Sequence, residues 1–161
     1  MPSKIVICPG SFDPPTNGHL NIIKRALTIF DKVIIAVATN TTKNPIFTPK
    51  ERVEILREIF KECKDVEVDT FRGLLVDYCR KRGSNTVLRG IRNMSDYEYE
   101  TQMALANKTL YPELEFLYLM TEGQYSHLSS SIIKEVLTFG GTGSGMIHPI
   151  VEKKLKEKLK K

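Results

Sequence analysis

The chain is poor in what staples a protein from outside its core. Its three cysteines, Cys8, Cys63 and Cys79, are odd in number and far apart, with no C-x-x-C pair, which indicates neither a disulfide framework nor a zinc site. Such usage suits a reducing compartment, and the expectation is a cytoplasmic protein. The longest apolar run, residues 33–38, is far too short to span a bilayer, and no secretory leader pattern precedes the first apolar segment, so no membrane partner is expected. Neither G-x-x-x-x-G-K-[ST] nor G-x-G-x-x-G occurs, which excludes two common glycine-rich phosphate loops. An excess of one charge is also missing once the C-terminus is set aside. The formal net charge is +5, but residues 153–161 hold six lysines and one glutamate, leaving residues 1–152 balanced at 18 basic and 18 acidic. In that tail Val151, Leu155 and Leu159 recur at helical spacing, and Glu152 and Glu157 stand one turn before Lys156 and Lys161. The pattern is an amphipathic helix whose lysines complement its own dipole. With no aromatic residues interleaved there, no nucleic-acid partner is expected.

What is present reads as one domain, residues 1–161, long enough to bury a core unaided. Apolar β-branched segments at 5–8, 32–38, 66–70, 86–89 and 114–120 predict five strands. Lys32–Ala38 is apolar without a clear period, as in a parallel strand covered on both faces. Helices are predicted between them. One opens at Gly18-His19. A second runs to about residue 62 behind the capping box Thr48-Pro49-Lys50-Glu51, with Val53, Leu56 and Ile59 or Phe60 facing inward. A third spans 74–82 and stops at Gly83, and a fourth runs from a capping box at Ser95 and Glu98 to Leu110, before Pro112. A fifth covers 130–139 and is closed by Gly140-Gly141, and His148 before Pro149 is a cap position for the tail helix. Successive βα units of this length give an α/β fold with a doubly wound, parallel five-stranded sheet and a C-terminal helix, which binds ligands outside the carboxyl ends of its strands.

Chemistry-bearing residues fall at that edge. The first strand passes through Pro9-Gly10 into S-F-D-P-P-T-N-G-H, where a glycine precedes His19 on the first turn of a helix. A helix N-terminus there offers unpaired N–H groups and a favourable dipole to a phosphate. The other strands lead into a polar loop with Lys43, an apolar Gly73-Leu74-Leu75, Arg89-Gly90-Ile91-Arg92, and S-H-L-S-S-S at 126–131. Singly, a lysine on a loop is solvated and serines before a helix are caps. Together at one edge they form a site for polyanionic phosphates.

The segments P-G-S-F-D-P-P-T-N-G-H, K-N-P-I-F-T-P-K-E-R, L-R-G-I-R-N-M-S-D-Y-E-Y-E and H-L-S-S-S-I-I-K-E-V resemble the bacterial phosphopantetheine adenylyltransferases, in the T/HxGH nucleotidyltransferase superfamily. The resemblance covers nearly the whole chain and implies a Rossmann-like nucleotidyltransferase fold. It implies adenylyl transfer from ATP to 4′-phosphopantetheine, giving dephospho-coenzyme A and pyrophosphate, in a cytoplasmic homohexamer using Mg²⁺, with coenzyme A a further candidate ligand. It also implies site residues. His19 stabilises the transition state and binds ATP, and Ser11 touches both substrates. Lys43, Leu75 and Arg89 bind the acceptor. Phe12, Gly90, Ile91, Arg92, Glu100, Tyr125, Ser126, His127, Leu128, Ser129, Ser130 and Ser131 bind ATP, with Lys43 and Arg92 catalytic beside Ser11 and His19. Tyr125, His127 and Leu128 depart from the family pattern, at the adenine end.

No serine or cysteine has a paired base to make it a nucleophile, and an acceptor phosphate needs no strong general base. Direct in-line displacement follows. No three-carboxylate cluster is visible, so Mg²⁺ is expected on the triphosphate and water, with no dedicated protein ligands. Other readings are a nucleotide-binding regulatory module on the same fold, a nucleic-acid binder using its tail, and a nucleotidyltransferase with another phosphorylated acceptor.

Overall fold

Alternation along the strands decides which helices cover which face. The structure, a computed structural model, describes residues 4–39 and 44–159. Its strands are β1 (Ile5–Gly10), β2 (Lys32–Ala38), β3 (Val66–Phe71), β4 (Thr86–Ile91) and β5 (Glu115–Met120). They form one parallel sheet in the order β3-β2-β1-β4-β5. Helices α1 (Asn17–Ala26), α2 (Pro49–Ile59), α3 (Leu75–Arg82) and α4 (Met94–Leu110) link successive strands, and α5 (Ser130–Thr138) and α6 (Pro149–Leu159) follow. Val6, Cys8, Val33, Ile35, Val37 and Leu88 pack on one face against Leu20, Ile23 and Ala26 of α1 and Val53, Leu56 and Phe60 around α2. Their neighbours Ile7, Ile34, Ala36 and Val87 pack on the other, against Val76, Tyr78 and Cys79 of α3 and Leu114. The strand period of two thus builds both cores of the doubly wound fold expected from the sequence.

A third apolar cluster joins Phe47 and Ile55 to Ile133 and Leu137 of α5 and to Ile147, Val151 and Leu155. The tail is therefore a packing helix. Val151 and Leu155 have no exposed surface, Lys156 pairs with Glu152 at 2.8 Å, and Lys158 pairs with Glu51 and lies over the Phe47 ring. His148 caps α6, its Nδ1 accepting from the Ile150 N–H at 3.2 Å.

Local signals set most boundaries. The Thr48 capping box forms in both directions, with Glu51 N–H donating to Thr48 Oγ1 and Thr48 N–H to Glu51. The helix then ends at Ile59, short of residue 62, because Phe60 leaves helical geometry with its ring buried. The box expected at Ser95 does not form. Asn93 caps α4 instead, accepting from the Asp96 N–H at 2.9 Å, and Ser95 lies inside the first turn. Asparagine caps as well as serine, and this choice leaves the Asp96 carboxylate free to pair with Arg92. Gly83 adopts the left-handed conformation after α3, as a C-terminal glycine does.

β1 runs two residues further than expected, since Pro9 and Gly10 stay paired with Ala36 and Val37 of β2. The missing proline donor falls on the β4 side, where the ladder is already lost. There β1 and β4 share only the Ile7–Val87 position, so the strands part toward their carboxyl ends where the strand order reverses. That gap is the cleft such sheets use.

Truncating the α6 anchor, Leu155→Ala, is expected to lower the unfolding free energy by about 2–5 kcal/mol in urea denaturation. A loss below about 0.5 kcal/mol would show that α6 does not belong to the core.

Candidate active site

Two adjoining cavities open at the parted strands. The first, about 270 Å³, is lined by Cys8, Pro9 and Gly10 of β1, Ser11, Phe12 and Thr16 of the following loop, Gly18, His19, Ile22 and Ile23 of α1, and Leu88, Arg89 and Gly90 of β4. Arg92, Asp96, Glu100, Thr121, Tyr125, Leu128, Ser129 and Ser130 complete it. The second, about 430 Å³, is more apolar, with Phe71, Leu74, Leu75, Met103 and Phe116 in its wall. Both share Pro9, Gly10, Ser11, Arg89 and Glu100. One wall therefore faces two compartments, one polar and one fit for an apolar arm.

His19 is set by the start of its helix. Thr16 caps α1, its hydroxyl accepting from the His19 N–H at 3.3 Å, while His19 Nδ1 accepts from the Thr16 N–H at 3.0 Å. This capping box uses a histidine where glutamate or glutamine is usual. Because Nδ1 accepts a backbone proton, the neutral ring carries its own proton on Nε2, as a donor. The ring packs edge-on against Phe12, centroids 5.1 Å apart. Burial first, and then the Arg89 and Arg92 cations, push the His19 pKa down to about 4. Phe12 itself has φ 50°, a left-handed conformation costly for a bulky residue.

The arginines arrive already oriented. Arg89 forks onto Glu100 through Nε and Nη2, and its Nη1 donates to the Pro9 carbonyl, on the side β1 has lost to the splay. Arg92 forks onto Asp96 at 2.8 and 3.0 Å, and its Nη1 donates to the Leu128 carbonyl at 2.8 Å, holding the loop before α5. That hydrogen-bonded pair keeps Asp96 below and Arg92 above their ordinary pKa values. Ser129 caps α5, accepting from the Ile132 N–H at 3.1 Å, and Ser130 Oγ donates to the Pro14 carbonyl at 2.8 Å, tying this helix start to the first loop. Cys8 is held at about 12, chiefly by burial against the opposing Arg89 charge, so its thiol is no nucleophile.

Most of the residues expected from the sequence meet here. Ser11, Phe12, His19, Arg89, Gly90, Arg92, Glu100, Tyr125, Leu128, Ser129 and Ser130 line the first cavity, and Leu75 lines the second. Ile91 is buried and lines neither cavity, and Ser126, His127 and Ser131 are exposed and line neither. Lys43 lies outside the described residues. Sequence reasoning missed Thr16, whose signal was its three-residue spacing to His19, and Asp96, one turn after Arg92. Nothing in the sequence singled out Thr121. Among the described residues no group of three or more His, Cys, Asp or Glu side chains could hold a metal ion. The cavity acids Asp96 and Glu100 are each forked by an arginine.

Residues 7–136 match the model of the cytidylyltransferase-like family. The chain is 49% identical over 158 residues to the phosphopantetheine adenylyltransferase of Caldanaerobacter subterraneus subsp. tengcongensis, covering 98% of this chain and 99% of that one. It is 50% identical over 155 residues to the enzyme of the same name from Alkaliphilus metalliredigens, covering 96% and 99%. Among solved structures it resembles a bifunctional NMN adenylyltransferase/ADP ribose pyrophosphatase from Francisella tularensis, complexed with AMP and a Mn ion, with TM-score 0.74 and 15% identity. That match covers 99% of this chain but 50% of the other, and shows the shared fold.

A ring held neutral by its surroundings should not titrate near its ordinary value. The His19 ring signals in ¹H–¹⁵N NMR are expected to show the Nε2–H tautomer with no inflection between pH 5 and 8. Because the folded pKa lies below the unfolded one, this site's contribution to stability is complete above about pH 6.5 and is lost as pH falls toward 4. An inflection near 6.5 would mean that the ring is solvated.

Proposed function

This chain belongs to the phosphopantetheine adenylyltransferase family and transfers the adenylyl group of ATP to 4′-phosphopantetheine, giving dephospho-coenzyme A and pyrophosphate; we propose that it does so by direct in-line displacement across the wall between its two cavities. The observation that carries this reading is that wall, with Ser11, Arg89 and Glu100 facing both compartments. ATP occupies the polar cavity, against Phe12, His19, Gly90, Arg92, Tyr125 and the serine loop. The acceptor phosphate meets Ser11, Arg89 and Lys43, with its pantetheine arm along Leu75 in the apolar cavity.

An oxygen of the acceptor phosphate attacks the α-phosphorus of ATP. The new P–O bond forms as the bond to pyrophosphate breaks, and the electron pair leaves with the pyrophosphate. No enzyme group needs to take a proton from the nucleophile, which is already an anion. The protein's work is to hold two polyanions together against their repulsion and to meet the charge that gathers at the α-phosphate. His19 supplies an N–H from Nε2, the ring nitrogen left free when Nδ1 accepts from Thr16, and Arg92 supplies a fixed guanidinium.

The fold family uses a divalent ion with ATP, and Mg²⁺ is the ion proposed. The cavity acids are engaged with arginines, so the residues present fit an ion carried by the triphosphate and water. Bound there, it neutralises phosphate charge. Residues Ser126, His127 and Ser131 serve as outer parts of the ATP loop, with Ile91 supporting it from behind. No helix among the described residues is long and apolar enough to cross a membrane, and a cytoplasmic location is proposed. Exposed apolar side chains on α4 and β5, among them Met94, Tyr99, Leu105 and Met120, support self-association, proposed as a hexamer. Coenzyme A, which shares the product's pantetheine arm, is proposed as a further ligand of the site.

A donor that meets charge only as it develops belongs in turnover more than in affinity. His19→Ala is therefore expected to lower kcat by at least about 10²-fold, with ATP affinity by calorimetry within about tenfold of the parent. Unchanged kcat with lost affinity would make His19 a binding residue only.

A further inference from the structure

We propose that Arg52 is a positioning residue for adenylyl transfer: its guanidinium holds the carbonyls of Ser11 and Ala38, and through them the loop on which Ser11 divides the two cavities. The inference rests on the role given to Ser11 above. Arg52 lies early in α2 with 1% of its surface exposed. Its Nη1 donates to the Ser11 carbonyl at 2.6 Å and to the Ala38 carbonyl at 3.2 Å. These carbonyls follow the last rung of the β1–β2 ladder, Gly10 with Val37. One cation thus bridges the two chain ends where the backbone ladder stops, below the loops that carry both substrate sites.

A guanidinium at this point satisfies two strand-end carbonyls, but it does so at a cost. Asp13 is the acid that opposes the burial penalty on Arg52, yet its oxygens already accept from the Ile46 and Phe47 N–H groups at 3.0 and 2.9 Å and from Lys134 at 2.9 Å. Arg52 Nε has no hydrogen-bond partner among the described residues. An apolar side chain packed beside Ile55 and Leu56 would avoid both penalties, but it would leave the Ser11 and Ala38 carbonyls without this donor. What an apolar residue cannot do is fix the Ser11 carbonyl. The same loop is gripped again by Asp13 and by the Ser130 bond to the Pro14 carbonyl, so Ser11 is held at a set height between the cavities. A small displacement of a positioned contact has a large effect on rate.

The test is a double-mutant cycle on the full-length enzyme with Ser11→Ala, Arg52→Met and the pair, at a temperature where circular dichroism shows all to be folded. Arg52→Met is expected to lower kcat/KM for 4′-phosphopantetheine by about tenfold to a hundredfold, with calorimetric ATP affinity within about threefold. The double variant is expected within about twofold of the worse single one, because the hydroxyl is already misplaced. Arg52→Lys, which returns a donor, should recover part of the loss. If the two losses multiply, Arg52 does not act through Ser11 and the proposal is overturned while the role of Ser11 stands. If Ser11→Ala alone has no effect, the role of Ser11 fails and takes the proposal with it. Should Arg52→Met not fold, the cycle is run with Arg52→Lys; if neither folds, Arg52 serves the fold itself and the proposal is overturned.

Discussion

The parting of β1 from β4 is the constraint on which the rest of the site depends. Parallel neighbours normally close their ladder to the end, but here pairing is confined to Ile7 and Val87, and the freed backbone has to be satisfied in another way. Arg89 meets the Pro9 carbonyl from the opposite strand, and on the other side of β1, where its ladder with β2 ends at Gly10, Arg52 meets the Ser11 carbonyl from α2. Cationic side chains therefore collect where the sheet cannot bond to itself. The same lack of ladder that opens a cleft gathers positive charge around it.

Those charges are useful because they are already held. Arg89 and Arg92 are each forked by a carboxylate and each also grip a backbone carbonyl, so little rotamer freedom remains to be lost when an anion arrives. Free lysines in the same places would attract phosphate but would not fix its direction. His19 follows the same logic in neutral form, its tautomer set by the Thr16 amide and its charge suppressed by burial and by those arginines. On the mechanism proposed above, the site is preorganised for charge that appears during the reaction.

Much of this was legible in the sequence where one local rule decided the outcome. Lys32–Ala38 reads as a central parallel strand because nothing polar interrupts it, and the Thr48 box works because cap, proline and glutamate all agree. The edge carrying the chemistry followed from topology, since every βα loop must end there. Legibility failed where two local rules tied and a distant contact chose between them. Asn93 and Ser95 are equivalent caps, and the Arg92–Asp96 pair favours the first. Pro9-Gly10 reads as a loop unless it is known that one side of β1 has no partner. Arg52 stands in register with Ile55 and Leu56, on buried positions of α2, but a charged residue there looks like the polar face until the strand ends beneath it are seen.

The central claim is that two anions react directly, with no group of the chain bonded to the nucleotide on the way. The most direct test uses ATP in which sulfur replaces one α-phosphate oxygen of known configuration. After transfer to 4′-phosphopantetheine, the configuration at phosphorus in the product is read by ³¹P NMR. A single in-line displacement inverts it, which is the result predicted here. Retention would require an even number of displacements, hence an enzyme-bound adenylyl intermediate, and would contradict the account.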